Sequence, residues 1–380
     1  MKQTSRIIST YSADVFGVCS ALFELGGMVI MHDASGCNST YTTHDEPRWY
    51  DMDSMVYISG LSEMEAIMGD DEKLIGDIAA AAEDLKPKFI AVAGTPIPTM
   101  TGFDFAAVAE LIEQRTGIPS FGFPTTGMNT YVRGASMALE AIARRFVTRD
   151  VGKTGEPSAN ILGLTPLDFS VNGSDTAIAS FLEAAGYRVL SRWAMGSSLE
   201  ALSQAGRAHV NLVVSSTGLG AAKALRERFG TPYVVGVPIG GEYSGLVRGA
   251  LQTAAATGEN QFPACELTGG DAVILGEAVV SVSLASAMEL AGGLTARVLC
   301  PTECGDGILR TKDRALHYEE EIEEALCSAR LVIADPLFRP VCPEGVRFLP
   351  LPAESFSGRI YREQIPNLVK EFDHFLKEVL

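Results

Sequence analysis

Short apolar, β-prone runs alternate along the whole chain with stretches whose apolar positions recur at helical spacing. A first set of predicted strands covers 28–32, 55–59, 88–94 and 120–124. A second covers 160–165, 187–193, 210–215 and 233–238, and a third 272–276, 296–301, 331–335 and 346–351. Between them lie amphipathic segments at 77–85, 105–116, 177–185, 221–229, 279–291 and 319–325, several ending at a glycine suited to a helix stop. Parallel strands need crossover helices, so this alternation predicts an α/β fold of three doubly wound units. The polar stretch 148–159 divides the first unit from the second, and 258–270 divides the second from the third. The expected domains are therefore 1–150, 151–265 and 266–380, with the last amphipathic segment, 365–380, packing back on the first.

Composition narrows the class. With 380 residues, 47% of them apolar and 20% charged, the chain can bury sizeable cores and is not of disordered type. Its apolar runs fall short of the roughly 18 to 20 residues that cross a bilayer. The 47 acidic residues outnumber the 30 basic ones, a net charge of -17 that repels nucleic acid. The first residues lack the basic, apolar and small-residue blocks of a secretory signal, so the cytoplasm is the expected compartment. Seven cysteines there read as free thiols, core fillers or metal ligands rather than a disulfide framework.

In open parallel sheets ligands bind beyond the carboxyl ends of the strands, which directs attention to the turns found there. These are His32 to Thr40, Gly94-Thr95-Pro96, Thr125-Thr126-Gly127, Ser215-Ser216-Thr217-Gly218 and the turn following Cys300. Glycines and hydroxyls ahead of helices can present backbone N–H groups to an anion or cofactor, although each turn taken singly also reads as an ordinary βα connection. None has the spacing of a Walker A or dinucleotide fingerprint. Cys37, in a Gly-Cys-Asn turn close behind His32 and Asp33, is the sharpest candidate metal ligand, its plain alternative being a buried free thiol. Cys19 reads as core. Cys300 and Cys304 have the spacing of neither a zinc knuckle nor a ferredoxin run. The polar, aromatic segment from His44 to Asp51 suits a site, an interface or a solvated turn. No catalytic acid or base stands out.

The turn His32-Asp33-Ala34-Ser35-Gly36-Cys37, the strand regions 55–61 (MVYISGL) and 86–93 (KPKFIAVA), and segments 271–293, 297–300 and 346–361 together resemble the component 1 family of nitrogenase-type oxidoreductases. That family includes nitrogenase molybdenum-iron protein subunits, cofactor-assembly scaffolds and the catalytic subunits of dark protochlorophyllide and chlorophyllide reductases. The resemblance implies three Rossmann-like, doubly wound parallel-sheet domains around a central cleft. It also implies a homodimer or heterodimer of component 1-like subunits, an interface iron-sulfur cluster of [4Fe-4S] type, and an ATP-dependent iron protein as electron donor. Electrons would pass to a substrate, metallocofactor or tetrapyrrole in the cleft.

Cys37 matches a cluster-ligand cysteine of the family. Two further ligand positions carry no thiol here: Tyr11-Ser12-Ala13-Asp14 stands at the first and Gly94-Thr95-Pro96-Ile97 at the later one. Oxygen ligands from Asp33, Ser12 or Asp14, or groups of a partner chain, would have to complete the set. Ser215-Ser216-Thr217 stands where the nitrogenase cofactor's anchoring cysteine is expected, so dinitrogen reduction is not implied. Two readings follow: a nitrogenase-like reductase subunit, or a non-catalytic scaffold or assembly protein that carries a metallocofactor or tetrapyrrole. In either, His32, Gly36, Thr95, Pro96, Thr125, Thr126, Ser215, Ser216, Thr217, Gly218 and Cys300 line the cleft.

Overall fold

The structure is a computed structural model and describes residues 6–7, 13–34, 36, 38–39, 41, 45–148, 152–265 and 270–380. Its strands form three sheets in which every pairing is parallel. The first, ordered β2-β1-β3-β4, contains β1 (Met28–His32), β2 (Met55–Ile58), β3 (Ile90–Gly94) and β4 (Ser120–Phe123). The second, ordered β6-β5-β7-β8, contains β5 (Ser158–Leu162), β6 (Arg188–Arg192), β7 (Val210–Val213) and β8 (Tyr233–Val235). The third, ordered β11-β10-β9-β12-β13, contains β9 (Ala272–Leu275), β10 (Ala296–Cys300), β11 (Arg314–Ala315), β12 (Leu331–Ala334) and β13 (Arg347–Pro350). The chain is thus three doubly wound parallel-sheet units, as its alternating pattern predicts. Every predicted strand is present, its ends shifted by a few residues. Only β11 has no counterpart in the sequence pattern, because two residues carry no periodicity.

Covered on both faces by helices, the central strands β1, β3, β5, β7, β9 and β12 are largely apolar and buried along their whole length. Each sheet reverses winding direction at one point: between β1 and β3, between β5 and β7, and between β9 and β12. The carboxyl ends of these strand pairs open the crevices where parallel sheets take ligands.

Two features fasten the first unit, one inside it and one to the second unit. Helix Asp14–Leu22 crosses helix Tyr131–Phe146 so closely that a Cβ on Gly17 would lie 2.0 Å from the Tyr131 carbonyl oxygen, and one on Gly134 would lie 1.8 Å from that of Asp14. Glycine at both positions is what lets the two backbones touch. The polar segment after residue 44 supplies the second fastening, since Arg48 is 3% exposed and donates to the Ala194 carbonyl of the second unit at 2.9 Å. His44 itself lies outside the described residues.

The terminal helix, Leu368–Val379, does not return mainly to the first unit as its sequence position suggested. Its apolar face packs chiefly on helix Ser174–Ala184 of the second unit, with Phe372 against Gly240 and Leu376 against Gly292. Arg347 of β13 donates to the Val379 carbonyl at 2.9 Å and secures the helix end. Among the described residues no helix is long and apolar enough to cross a membrane.

Candidate functional site

The carboxyl edge of the first sheet gathers His32, Asp33, Thr95, Thr125 and Thr126. The Thr95 hydroxyl donates to the His32 carbonyl at 3.0 Å, and the Thr125 hydroxyl donates to the Gly94 carbonyl at 2.8 Å. Both threonines are buried, and these bonds tie neighbouring strand ends together. His32 lies 2.9 Å from the Ser59 hydroxyl, with its ring 4.4 Å from that of Phe103. Burial pushes its imidazole down to about 4, so it is neutral at ordinary pH. Pro96 and Gly36 are exposed, and the Gly36 carbonyl accepts the Ser39 hydroxyl at 2.8 Å.

The oxygen donors considered for a cluster are differently placed. Asp14 is wholly buried and accepts from the N–H groups of Thr126 at 3.0 Å and Gly127 at 2.8 Å and from the Asn129 side chain at 3.1 Å. That is a structural clamp on the β4 turn, and the carboxylate is not available to iron. Asp33 is 7% exposed and accepts from the Asn38 amide at 2.6 Å on one oxygen. Cys37 and Ser12 lie outside the described residues. Among the described residues no group of three or more histidine, cysteine or carboxylate side chains could hold a metal, so these residues alone do not make a cluster site.

A second constellation sits between the second and third units, and it absorbs the turn Ser215-Ser216-Thr217-Gly218. Asp168, in the short helix Pro166–Phe169 that follows β5, accepts from the hydroxyls of Ser215 at 2.6 Å and Thr165 at 2.7 Å. Tyr131, from the first unit, donates to its other oxygen. Thr217 donates its hydroxyl to the Ser215 oxygen at 3.0 Å and its N–H to the same atom at 3.2 Å. Next along the chain, Ser216 gives Glu277 its N–H at 2.9 Å and its hydroxyl at 2.6 Å. Glu277 also caps helix Ala278–Gly292 by accepting from Val280. Gly218 has no room for a side chain, since a Cβ would stand 2.5 Å from the Leu162 carbonyl carbon.

Adjacent serines therefore place two buried carboxyl groups near each other. Burial first, and the Glu277 charge second, raise Asp168 to about 7, against the lowering pull of its hydroxyl donors. Asp168, Glu277, Ser281, Asp335 and Ser355 face a cavity of about 70 Å³ at the point between β9 and β12 where the third sheet changes direction. Apolar side chains, including Ile274, Val280, Phe356 and Leu368, make up most of its remaining wall. This space has room for a few waters and is well below the roughly 300 to 1,000 Å³ of small-molecule sites. Ser170, just beyond Asp168, adopts φ +52°, a conformation few non-glycine residues take and one that clusters at functional sites.

Cys300 ends β10 fully buried, its thiol 3.3 Å from the Thr302 carbonyl. A hydrogen bond with the Cys304 thiol, then burial, hold it well above the ordinary thiol range. Asp168 and Glu277 escaped the sequence reading because their partners lie far along the chain. The usable signal was an acid in the turn directly after a buried strand, opposite a serine-rich turn already singled out.

The geometry, with three doubly wound units meeting at an acidic, hydroxyl-rich crevice, defines a class that comparison with known proteins identifies. The family model for nitrogenase component 1 type oxidoreductases matches residues 14–261, and the chain belongs to that family. It is similar to the nitrogenase iron-molybdenum cofactor biosynthesis protein NifE of Rippkaea orientalis, with 26% identity over 213 residues, 54% of this chain and 44% of that protein. It is also similar to a light-independent protochlorophyllide reductase subunit of Prosthecochloris aestuarii, with 28% identity over 45% of this chain and 32% of that one. The matches thus span less than half the length of these relatives. A solved structure described as nitrogenase Cp1 at pH 6.5 superposes with a TM-score of 0.69, covering 100% of this chain and 95% of that one at 17% identity, which shows a shared fold.

Proposed function

We propose that the chain is a nitrogenase-like component 1 subunit that receives low-potential electrons from an ATP-dependent iron protein. It directs them to a ligand in the interdomain cleft, the ligand being something other than dinitrogen. In this reading Cys37, with Asp33 and Ser12, holds part of an iron-sulfur cluster that a component 1-like partner subunit completes. Such a cluster supplies low-potential electron storage when bound. The chain's own residues position the turn: Asn38 orients the Asp33 carboxylate, and Ser59 holds the His32 side chain and the Asp33 N–H. The domains are then 1–150, 151–265 and 266–380, in a cytoplasmic dimer.

The observation that carries this reading is an apolar face at the carboxyl edge of the first sheet. Met64 and Met68 of helix Glu63–Met68, Met100 of helix Pro96–Thr101, and Met128 are between 67% and 86% exposed, with Ile67 at 70%. Flexible, polarizable methionines grouped beside the turn that leads to Cys37 suit a subunit boundary. Anaerobic purification with a co-expressed component 1 partner, followed by iron and sulfide analysis of wild type and Cys37→Ala, tests it. Iron in the wild type that the variant loses is expected, whereas an iron-free wild-type complex would refute the cluster.

A second reading is a scaffold that carries a metallocofactor or tetrapyrrole without reducing it, which the similarity to a cofactor biosynthesis protein favours. Electron flow separates the two. Protochlorophyllide-dependent oxidation of a reduced iron protein supports the reductase, and tight protochlorophyllide binding without oxidation supports the carrier.

A further inference from the structure

We propose that Cys300 and Cys304 form a reversible dithiol–disulfide site whose oxidation loosens the third unit's hold on the first. This goes beyond the electron-transfer reading and does not depend on it. Cys300 ends β10, fully buried and fixed there by strand pairing with β11 and by the Leu316 N–H, which its carbonyl accepts at 2.8 Å. The Thr302 carbonyl and hydroxyl lie 3.3 Å and 3.4 Å from its sulfur and hold the thiol in the turn. Cys304 is half-buried in the loop that follows, and its thiol is hydrogen-bonded to that of Cys300. The two sulfurs therefore already face each other, which a disulfide needs and which spacing along the chain does not by itself provide.

Burial divides the roles of the pair. Cys304 is the thiol that solvent reaches. The Cys300 hydrogen bond holds it below its ordinary range, against burial and the nearby Glu277, Asp306 and Glu303 charges. By contrast, burial pushes the half-buried Cys265 and Cys342 thiols up. With hydrogen peroxide as oxidant, the Cys304 thiolate attacks one peroxide oxygen and the O–O bond breaks. The sulfur loses two electrons and becomes a sulfenic acid, while the other oxygen leaves as hydroxide and takes up the proton that Cys304 released. Cys300 then attacks the Cys304 sulfur. The S–S bond forms, the S–O bond breaks, and the departing hydroxide leaves as water with the Cys300 proton. In sum, two thiols and one peroxide give one disulfide and two waters, and a dithiol reductant reverses the change by exchange.

The residues on either side of Cys304 join the units. Glu303 accepts the Thr130 N–H at 3.0 Å and also the Thr130 hydroxyl, and Thr130 begins helix Tyr131–Phe146 of the first unit. Gly305 packs on Leu219 of the second unit so closely that a Cβ would lie 2.4 Å from that side chain. A disulfide holds its sulfurs about 2.05 Å apart, well inside the separation of two hydrogen-bonded thiols. Because Cys300 is fixed in its strand, closing that gap moves Cys304 and disturbs both contacts. Only three residues separate the cysteines, so the bond closes a short loop, gains little from chain entropy and is readily reduced.

Peptide mapping of the full chain after peroxide treatment tests this. Trypsin releases residues 298–310, which contain Cys300 and Cys304 and no other cysteine, so neither Cys37 nor a cluster enters the readout. After peroxide this peptide is expected to be two hydrogens lighter and closed to iodoacetamide in denaturant, and dithiothreitol should restore both alkylation sites. Cys300→Ala should lose the disulfide and leave a Cys304 sulfenic acid that dimedone traps, whereas Cys304→Ser should leave Cys300 a thiol. Hydrogen exchange at the Thr130 amide should be faster in the oxidised wild type than in the reduced one. The proposal is overturned if the wild-type peptide keeps two alkylatable thiols after peroxide, or if Cys304 is oxidised to a sulfenic or sulfinic acid with Cys300 untouched. A disulfide that leaves exchange at Thr130 unchanged overturns it as well.

Discussion

Replacing Arg48 with methionine tests how the first two units are fastened. The guanidinium reaches Glu46 at 2.6 Å, Glu24 at 2.9 Å, and the carbonyls of Ser20 at 2.8 Å and Ala194 at 2.9 Å, lying 4.7 Å above the Phe23 ring. Glu46 is 0% exposed and also accepts from the Tyr41 hydroxyl, so methionine would leave a buried carboxylate without its cation. Breaking a buried pair on one side costs about 3 to 5 kcal/mol, a large share of the roughly 5 to 15 kcal/mol that stabilises a typical protein. Ala194 sits at φ +95°, and loss of its carbonyl's donor frees a backbone position that the surroundings otherwise hold in strain. At about 1.3 °C per kcal/mol for 380 residues, thermal unfolding should shift down by roughly 4 to 6 °C. Adding Glu46→Gln removes the orphaned charge and should return a substantial part of the loss, and high salt should change little because the pair is dry. The reasoning fails if Arg48→Met melts with the wild type, or if the double variant melts below the single one.

Other substitutions probe other levels of the same argument. Gly134→Ala drives a methyl into the Asp14 carbonyl and should cost about 3 kcal/mol, whereas Gly76→Ala, in open space on helix Asp71–Leu85, should stabilise by about 0.5 to 1 kcal/mol. Denaturant midpoints of the pair check the contrast. Asp335→Ala strips three donors of their acceptor and should cost about 2 to 4 kcal/mol in the same assay. His32 binds a proton near 6.5 when unfolded but only near 4 in the fold, so stability is complete above about 6.5 and falls as pH drops toward 4. His32→Gln should flatten that acid loss, seen by comparing denaturant midpoints at about pH 7.5 and about pH 5.

The fold was legible because a doubly wound unit writes its central strands as short, mostly apolar runs, broken in β5 and β7 only by Ser158, Asn160 and Asn211. Helix starts were less so. The helix beginning at Asp71 opens with a polar turn, Asp71-Glu72-Lys73, that apolar periodicity passes over, although Asp70 caps it by accepting the Lys73 N–H. The Ser62 to Glu65 capping box was written plainly in the sequence and still escaped notice, its helix being short and exposed. At the candidate site, Ser215 and Thr217 were visible as hydroxyls after a strand. Their use was not, because the acid they serve comes from another turn of the sheet. Asp14 shows the converse: its place in the order of residues suggested a ligand, and its bonds make it a clamp.

The small volume between the second and third units carries a kinetic consequence. Anything bulkier than a few solvent molecules must first break the bonds by which Ser216 holds Glu277, so arrival of such a guest would be limited by the rate of that opening and insensitive to its concentration once saturating. The closed form would then seal the guest from bulk water.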